Sequence, residues 1–192
     1  MTKSRRTQAA RRAETKASLL SAARALFLEN GYDSTSTPEI VAKAGVTRGA
    51  LYHHFEDKKD LFRALVTSEA AEIARVIDER THDIQNPQQG MIEGTNAYFD
   101  AMAVPGRAKL VLSDAASILG HAEAVMLTKS QGSEELKDGL RQATPNMSEE
   151  DLIAMTNVLS AAFDRAALEI AEGASREPYV KALVSLIERA TA

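Results

Sequence analysis

Between about Arg12 and Asn30, the apolar residues Leu19, Ala23, Leu26 and Phe27 recur at three- and four-residue spacing, which predicts an amphipathic helix with one buried stripe. Gly31 ends it. A short polar connector from Ser34 follows, with Thr37 placed to cap a second helix, Pro38 at its first position, Ile40, Val41 and Ala44 on its buried side, and Gly45 as its stop. Thr47 is placed to cap a third helix, in which Leu51 and Phe55 form an i, i+4 pair facing the core. Asp57 is placed to cap a fourth, running from Lys58 to about Glu79 with Leu61, Leu65, Ile73 and Ile77 in helical register and no Gly or Pro between them. This long helix joins the N-terminal helices to the rest of the chain, so a displacement at its far end would tilt them.

The remainder keeps the helical period. Asn86 and Pro87 open a fifth helix that runs to about Val104 and is stopped by Pro105 and Gly106. Gly90 and Gly94 share one face of it, a spacing that points to close helix packing. Arg107 to Leu112 reads as a short helix, and Ser113 and Asp114 interrupt it. From Ala115 to about Ala143 the pattern allows one helix with a break near Gly132 or two shorter ones. Ser148 and Asp151 form a capping pair for a helix extending to Gly173, with Glu149 and Glu150 at its positive end. A last helix runs from Arg176 or Pro178 to Thr191. The chain therefore reads as all-α, with about nine helices.

Composition narrows the class. The 192 residues, 44% apolar, suffice for one core, or one core and a small satellite domain. Without cysteine there is no disulfide framework, thiolate metal site or thiol nucleophile. No run approaches the roughly 18 apolar residues of a membrane span, and the basic N-terminus lacks the apolar stretch of a signal peptide, so a cytoplasmic protein that does not enter membranes is expected. The net charge of −4 hides an asymmetry: residues 1–63 carry 12 Lys and Arg against 7 Asp and Glu, a balance of +5, which leaves −9 for the remainder. A basic nucleic-acid-reading head on an acidic body has this distribution. Residues 1–12 are polar and Arg-rich, either a solubilising tail or a mobile polycationic arm that touches phosphates.

The third helix carries the candidate chemistry. Gly45 can take a positive φ, Val46 can fold back onto the core, and at about 100° per residue Arg48, Gly49, Tyr52 and His53 fall on an arc away from Leu51 and Phe55. Arg48 can make a bidentate contact with guanine in a major groove, Gly49 leaves room for close backbone approach, and Tyr52 can donate to a phosphate, as can His53 or His54. Lys58 presents a charge and free N–H groups at a helix start, and Thr37 and Thr47 can add hydroxyl contacts. Alone, each has a plainer reading as a solvated charge or a surface aromatic. Adjacent histidines point about 100° apart and lack partner ligands, so no metal site is expected. No phosphate-cradling glycine loop, HExxH or nucleophile elbow occurs, and the carboxylates are scattered, which argues against an enzyme.

The stretch from Leu20 to Leu65 resembles the N-terminal domain of the TetR (tetracycline repressor) family of transcriptional regulators. The matching features are Ala22-Ala23 and Leu26-Phe27 before Gly31-Tyr32, then Ile40 and Ala44-Gly45-Val46, then Leu51-Tyr52, Phe55, Lys58 and Leu61. The resemblance implies a three-helix DNA-binding head (residues 13–63) on a helical regulatory and dimerisation body (64–192), working as a homodimer on a palindromic double-stranded operator. It assigns DNA contacts to Thr37, Thr47, Arg48, Gly49, Tyr52, His53 and Lys58, and less directly to His54. Arg48 and Gly49 fall at variable family positions and would set the operator read. Residues 107–120 also resemble a recurring stretch in one subgroup, which carries proline where Ala116 stands.

The family arrangement further implies a repressor released by a small-molecule effector, with no cofactor required. Candidate pocket residues are Tyr98, Met102, Leu112, Ile118, His121, Met126 and Phe163, unless they are plain core. With 5% aromatic residues and no Trp, a modest apolar cavity is favoured over a large stacking one for planar cations. The last two helices would form a four-helix dimer bundle through Leu159, Phe163, Ala166, Ile170, Leu183, Leu186 and Ile187, unless those stripes complete the protomer's own core. The alternative function is a DNA-binding protein of the same fold with no effector, governed by a protein partner or used architecturally.

Overall fold

The computed structural model describes residues 7–191, and among these the side chains of all but 129–132. Nine α-helices and one π-helical segment account for it: α1 Gln8–Asn30, α2 Thr37–Ala44, α3 Arg48–His54, α4 Lys58–Thr81, α5 Pro87–Met102, the π-helical segment Lys109–Asp114, α6 Ala115–Leu119, α7 His121–Ala143, α8 Glu149–Ala171 and α9 Arg176–Ala190. Two compact units result, divided between Leu65 and Val66 within α4.

The first unit packs α1, α2 and α3 against one another around Leu19, Ala23, Phe27, Ile40, Leu51 and Phe62, all essentially removed from solvent. Phe27, Tyr32 and Phe62 form a ring triad with centroids 5.3–5.6 Å apart. Thr7 caps α1, so Arg11 and Arg12, expected in the mobile arm, are helical, and residues 1–6 of that arm lie outside the described residues. The cap of α2 is Ser36 rather than Thr37. Glu39 accepts from the Ser36 backbone N–H at 2.7 Å and Ser36 Oγ accepts from the Glu39 N–H at 3.5 Å, a reciprocal box that leaves the Thr37 hydroxyl for another partner. Gly45 ends α2 in the left-handed region (φ 66°, ψ 30°), where a side chain would clash with its own backbone.

In the second unit α5 packs on α7 and α9, and α7 on α6 and α8. Ile77, Ala97, Phe99, Leu140, Leu152, Leu159, Leu183 and Ile187 belong to its core. The break expected near Gly132 falls instead at Gly120, whose φ of +97° cannot continue a helix, whereas Gly132 lies inside α7. The short helix expected over 107–112 is replaced by the π-helical segment, which begins after Arg107. Arg107 is buried at the start of this stretch. Its Nε donates to Glu69 on α4 at 2.5 Å and its Nη1 to the Ala101 carbonyl at 2.7 Å, and both charged residues are more than nine-tenths buried.

Gly90 and Gly94 do not mark a tight helix contact. A Cβ at Gly94 would stand 3.7 Å from Thr81 and 3.9 Å from Ile77, ordinary contacts, and both glycines line a cavity instead. Close packing does fix Gly139, where a Cβ would meet Met91 Cγ at 2.7 Å. Of the residues expected at a dimer face, Leu159, Phe163, Ala166, Leu183 and Ile187 are buried within the protomer and complete its own core; Ile170 is half-buried and only Leu186 is exposed. No described helix is long and apolar enough to cross a membrane.

Candidate nucleic-acid interface and body cavity

The exposed side of α3 is organised by contacts among three of the expected DNA-binding residues. The Tyr52 hydroxyl lies beside the Thr37 side chain and Arg48, and hydrogen bonding to them, Thr37 first, holds its pKa below the ordinary phenol value. The Arg48 guanidinium also stands 5.4 Å from the Tyr52 ring centroid. Thr37, at the first turn of α2, thus sits next to Tyr52 of α3, which stands next to Arg48. Tyr52 is 45% exposed, a large aromatic kept at the surface by polar ties. Thr47 caps α3 by accepting from the Ala50 N–H at 3.2 Å, which leaves its O–H free to donate outward.

Gly49 and His53 are exposed on the adjoining arc. A Cβ at Gly49 would meet only Thr47 Oγ1, at 3.9 Å, so nothing within the head requires a glycine there. His54 is not brought onto this face. It is half-buried on the other side of α3, where burial first, and then the charges of Arg12, His53 and Lys16, depress its pKa. The exposed Arg12 and Lys16 of α1 thus lie near α3, a basic flank that single-helix periodicity does not reveal.

Lys58 opens α4 as expected, and Asp57 Oδ1 caps the helix by accepting from the Asp60 N–H at 2.7 Å. Its ammonium, however, is turned inward, donating to the carbonyls of Tyr32 at 2.8 Å and Thr35 at 3.0 Å and standing 4.2 Å from the Tyr32 ring centroid. The side chain ties the connector between α1 and α2 to the start of α4, with one N–H left over.

The second unit holds a partly open cavity of about 720 Å3. Tyr98, Met102, Leu112, His121 and Phe163 line it, with α4 contributing Ala70, Ile73, Ile77 and Thr81. Ile118, half-buried, and Met126, 68% exposed, were also expected there and do not reach it, because the break at Gly120 resets the faces of α6 and α7. A wall residue that the apolar pattern did not single out is Asp164, whose Oδ1 accepts from the Tyr98 hydroxyl at 2.9 Å. Burial raises the pKa of both groups, the Tyr98 bond opposing the rise at Asp164. Asn157, Ser160 and Asp164 recur at i, i+3, i+7 along one side of α8, the signal that could have found it. Among the described residues no group of three or more His, Cys, Asp or Glu is placed to hold a metal.

Comparison with known proteins matches residues 19–65 to the family described as bacterial regulatory proteins, tetR family, and residues 88–190 to a tetracyclin repressor-like C-terminal domain. The chain belongs to the TetR family. A TetR-family transcriptional regulator of known structure from Pectobacterium atrosepticum is 31% identical, over 95% of this chain and 94% of that one, with a TM-score of 0.66. The HTH-type transcriptional repressor AcnR of Corynebacterium glutamicum is 37% identical over 86 residues, 45% of this chain and 44% of that protein. The repressor BepR of Brucella suis biovar 1 is 50% identical over 62 residues, 32% of this chain and 29% of that protein. The matched stretches thus span less than half of these two curated relatives. The three-helix head and helical body of this TetR-family chain are those its sequence resemblance implied.

Proposed function

We propose that this TetR-family chain is a sequence-specific DNA-binding transcriptional repressor that acts as a homodimer on a palindromic operator and is released by a small molecule bound in its body. The observation that carries the DNA-reading role is the Thr37–Tyr52–Arg48 arrangement on the exposed side of α3. It sets a guanidinium beside an exposed phenol and a hydroxyl on one face, the donor set that suits base edges and phosphates in a groove. Gly49 supports the same reading, since its missing side chain has no cause inside the head. Thr47, His53 and the remaining Lys58 N–H are assigned to phosphates, with Arg12 and Lys16 flanking them.

Arg48→Ala is expected to relax base preference at one operator position by about 1–3 kcal/mol while leaving binding to unrelated DNA nearly unchanged. Selection from a randomised duplex pool, followed by titration of the selected sites, measures this. A variant with wild-type preference at every position would remove α3 from the reading.

The dimer is assigned to the exposed side of α8 and α9, where Ala154 and Val158 on one helix and Ala182 and Leu186 on the other lie open to solvent. Val158 is 65% and Leu186 48% exposed, large apolar side chains on neighbouring helices that a second copy would cover. Light scattering at micromolar concentration is expected to give twice the mass of the chain for the wild type and a monomer for Val158→Asp. A wild-type monomer, with or without DNA, would defeat the assignment. The effector is assigned to the body cavity, whose wall includes α4, the helix that begins in the head at Lys58.

A further inference from the structure

The body cavity has a charge pattern that discriminates among ligand classes. Asp164 projects into it from α8, with Tyr98 as its hydrogen-bond donor at 2.9 Å. No Lys or Arg lines the cavity among the described residues, and no basic side chain pairs with Asp164. The other carboxylates of the wall are Glu135 and Asp138 on α7, of which Asp138 is already paired with Arg141 at 2.6 Å. Its bases are His82 and His121, and His82 already lies 3.2 Å from the Asp83 carboxylate.

Resting on the effector-binding reading above, we propose that the cavity takes a monocationic amphiphile, a protonated amine on an apolar or aromatic body, with Asp164 as its counter-ion and the Tyr98 and Phe163 rings against its charged end. Tyr98, the donor to Asp164, stands edge to face with Phe163 at a centroid distance of 5.4 Å, so a cation paired with Asp164 has an aromatic pair within reach. Burial disfavours the ionised carboxyl of Asp164, and a bound cation reverses that penalty. A neutral ligand leaves the penalty in place, and an anion would enter a wall with carboxylates and no Lys or Arg to receive it. A volume of about 720 Å3 fits one molecule of drug size rather than a long acyl chain with a bulky head.

Calorimetric titration of the full chain with 4-phenylbutylamine, 4-phenylbutanol and 4-phenylbutanoate at neutral pH tests charge on one carbon framework. The amine is expected to bind about tenfold or more tighter than either of the others, as one charge-assisted contact implies. Asp164→Asn should bring the amine down to the alcohol and leave the alcohol unchanged, while Tyr98→Phe, which keeps the carboxylate, should preserve the preference. An alcohol or acid that matches the amine, absence of binding by all three, or an amine preference that survives Asp164→Asn overturns the proposal. The wild-type ranking decides even if a variant fails to fold. Operator affinity measured alongside separates the two readings: amine-selective binding with no operator release retires the effector role and keeps the cation site, whereas release by the alcohol or acid without amine preference does the reverse.

Discussion

Glu69→Ala is expected to destabilise the body by about 3–5 kcal/mol, the cost of leaving a buried charge without its partner. Arg107 is 7% exposed, its guanidinium held by Glu69 at 2.5 Å and by the Ala101 carbonyl at 2.7 Å. Truncating the carboxylate strands it. The melting temperature should fall by roughly 6–20 °C, taking about 2–4 °C per kcal/mol for a chain of this size. Replacing both partners, as Glu69→Leu with Arg107→Met, should recover most of the loss, because desolvation of the two ions offsets much of their attraction. A cycle in which the double variant is as unstable as the sum of the singles would show that the pair is not coupled. The pair also joins α4 to the segment whose next turn supplies Val111 and Leu112 to the cavity, so the double variant provides a direct check on whether this link matters for operator release.

The head was legible because its signals are local. Helix stops at Gly31 and Gly45, the cap at Thr47 and the i, i+4 pair Leu51 and Phe55 each act within one turn, and the chain spells them in order. The displacement of the α2 cap from Thr37 to Ser36 was readable too, since Ser36 and Glu39 stand at capping-box spacing, but two adjacent hydroxyl residues compete for that role and only Tyr52, fifteen residues on from Thr37, settles it. Long-range ties were not legible. Nothing near Lys58 announces the carbonyls of Tyr32 and Thr35, and nothing near Arg107 announces Glu69. In the body an apolar stripe marks burial without saying against what. Leu159, Leu183 and Ile187 turned out to face their own protomer's core, while the open apolar positions on α8 and α9, Val158 and Leu186, sit on a different arc among alanines. The same limit hid Asp164, because a carboxylate next to Arg165 reads as a solvated helix position until the partner Tyr98 is brought to it from α5.

Lys58→Ala is expected to cost the head about 2–3 kcal/mol in addition to weakening DNA binding. Two charge-assisted hydrogen bonds are lost, each contributing about 1.5–3 kcal/mol when intact, but the half-buried setting lets water recover part of that. The ammonium also lies over the Tyr32 ring, which packs on Phe27 and Phe62, so its removal loosens the connector that the Thr35 hydroxyl pins to the Gly31 and Leu26 carbonyls. Lys59→Ala removes the same charge one residue later from an exposed position and should change stability by no more than about 0.5 kcal/mol. The two variants therefore separate a tie within the head from a contact with phosphate. Operator titrations across salt should show the slope of log K against log[salt] reduced by about 0.9 for whichever lysine neutralises a phosphate, equally for all sequences. Thermal unfolding should move for Lys58→Ala alone. An unchanged midpoint with a reduced salt slope would mean that the inward hydrogen bonds contribute nothing and that Lys58 acts on DNA only.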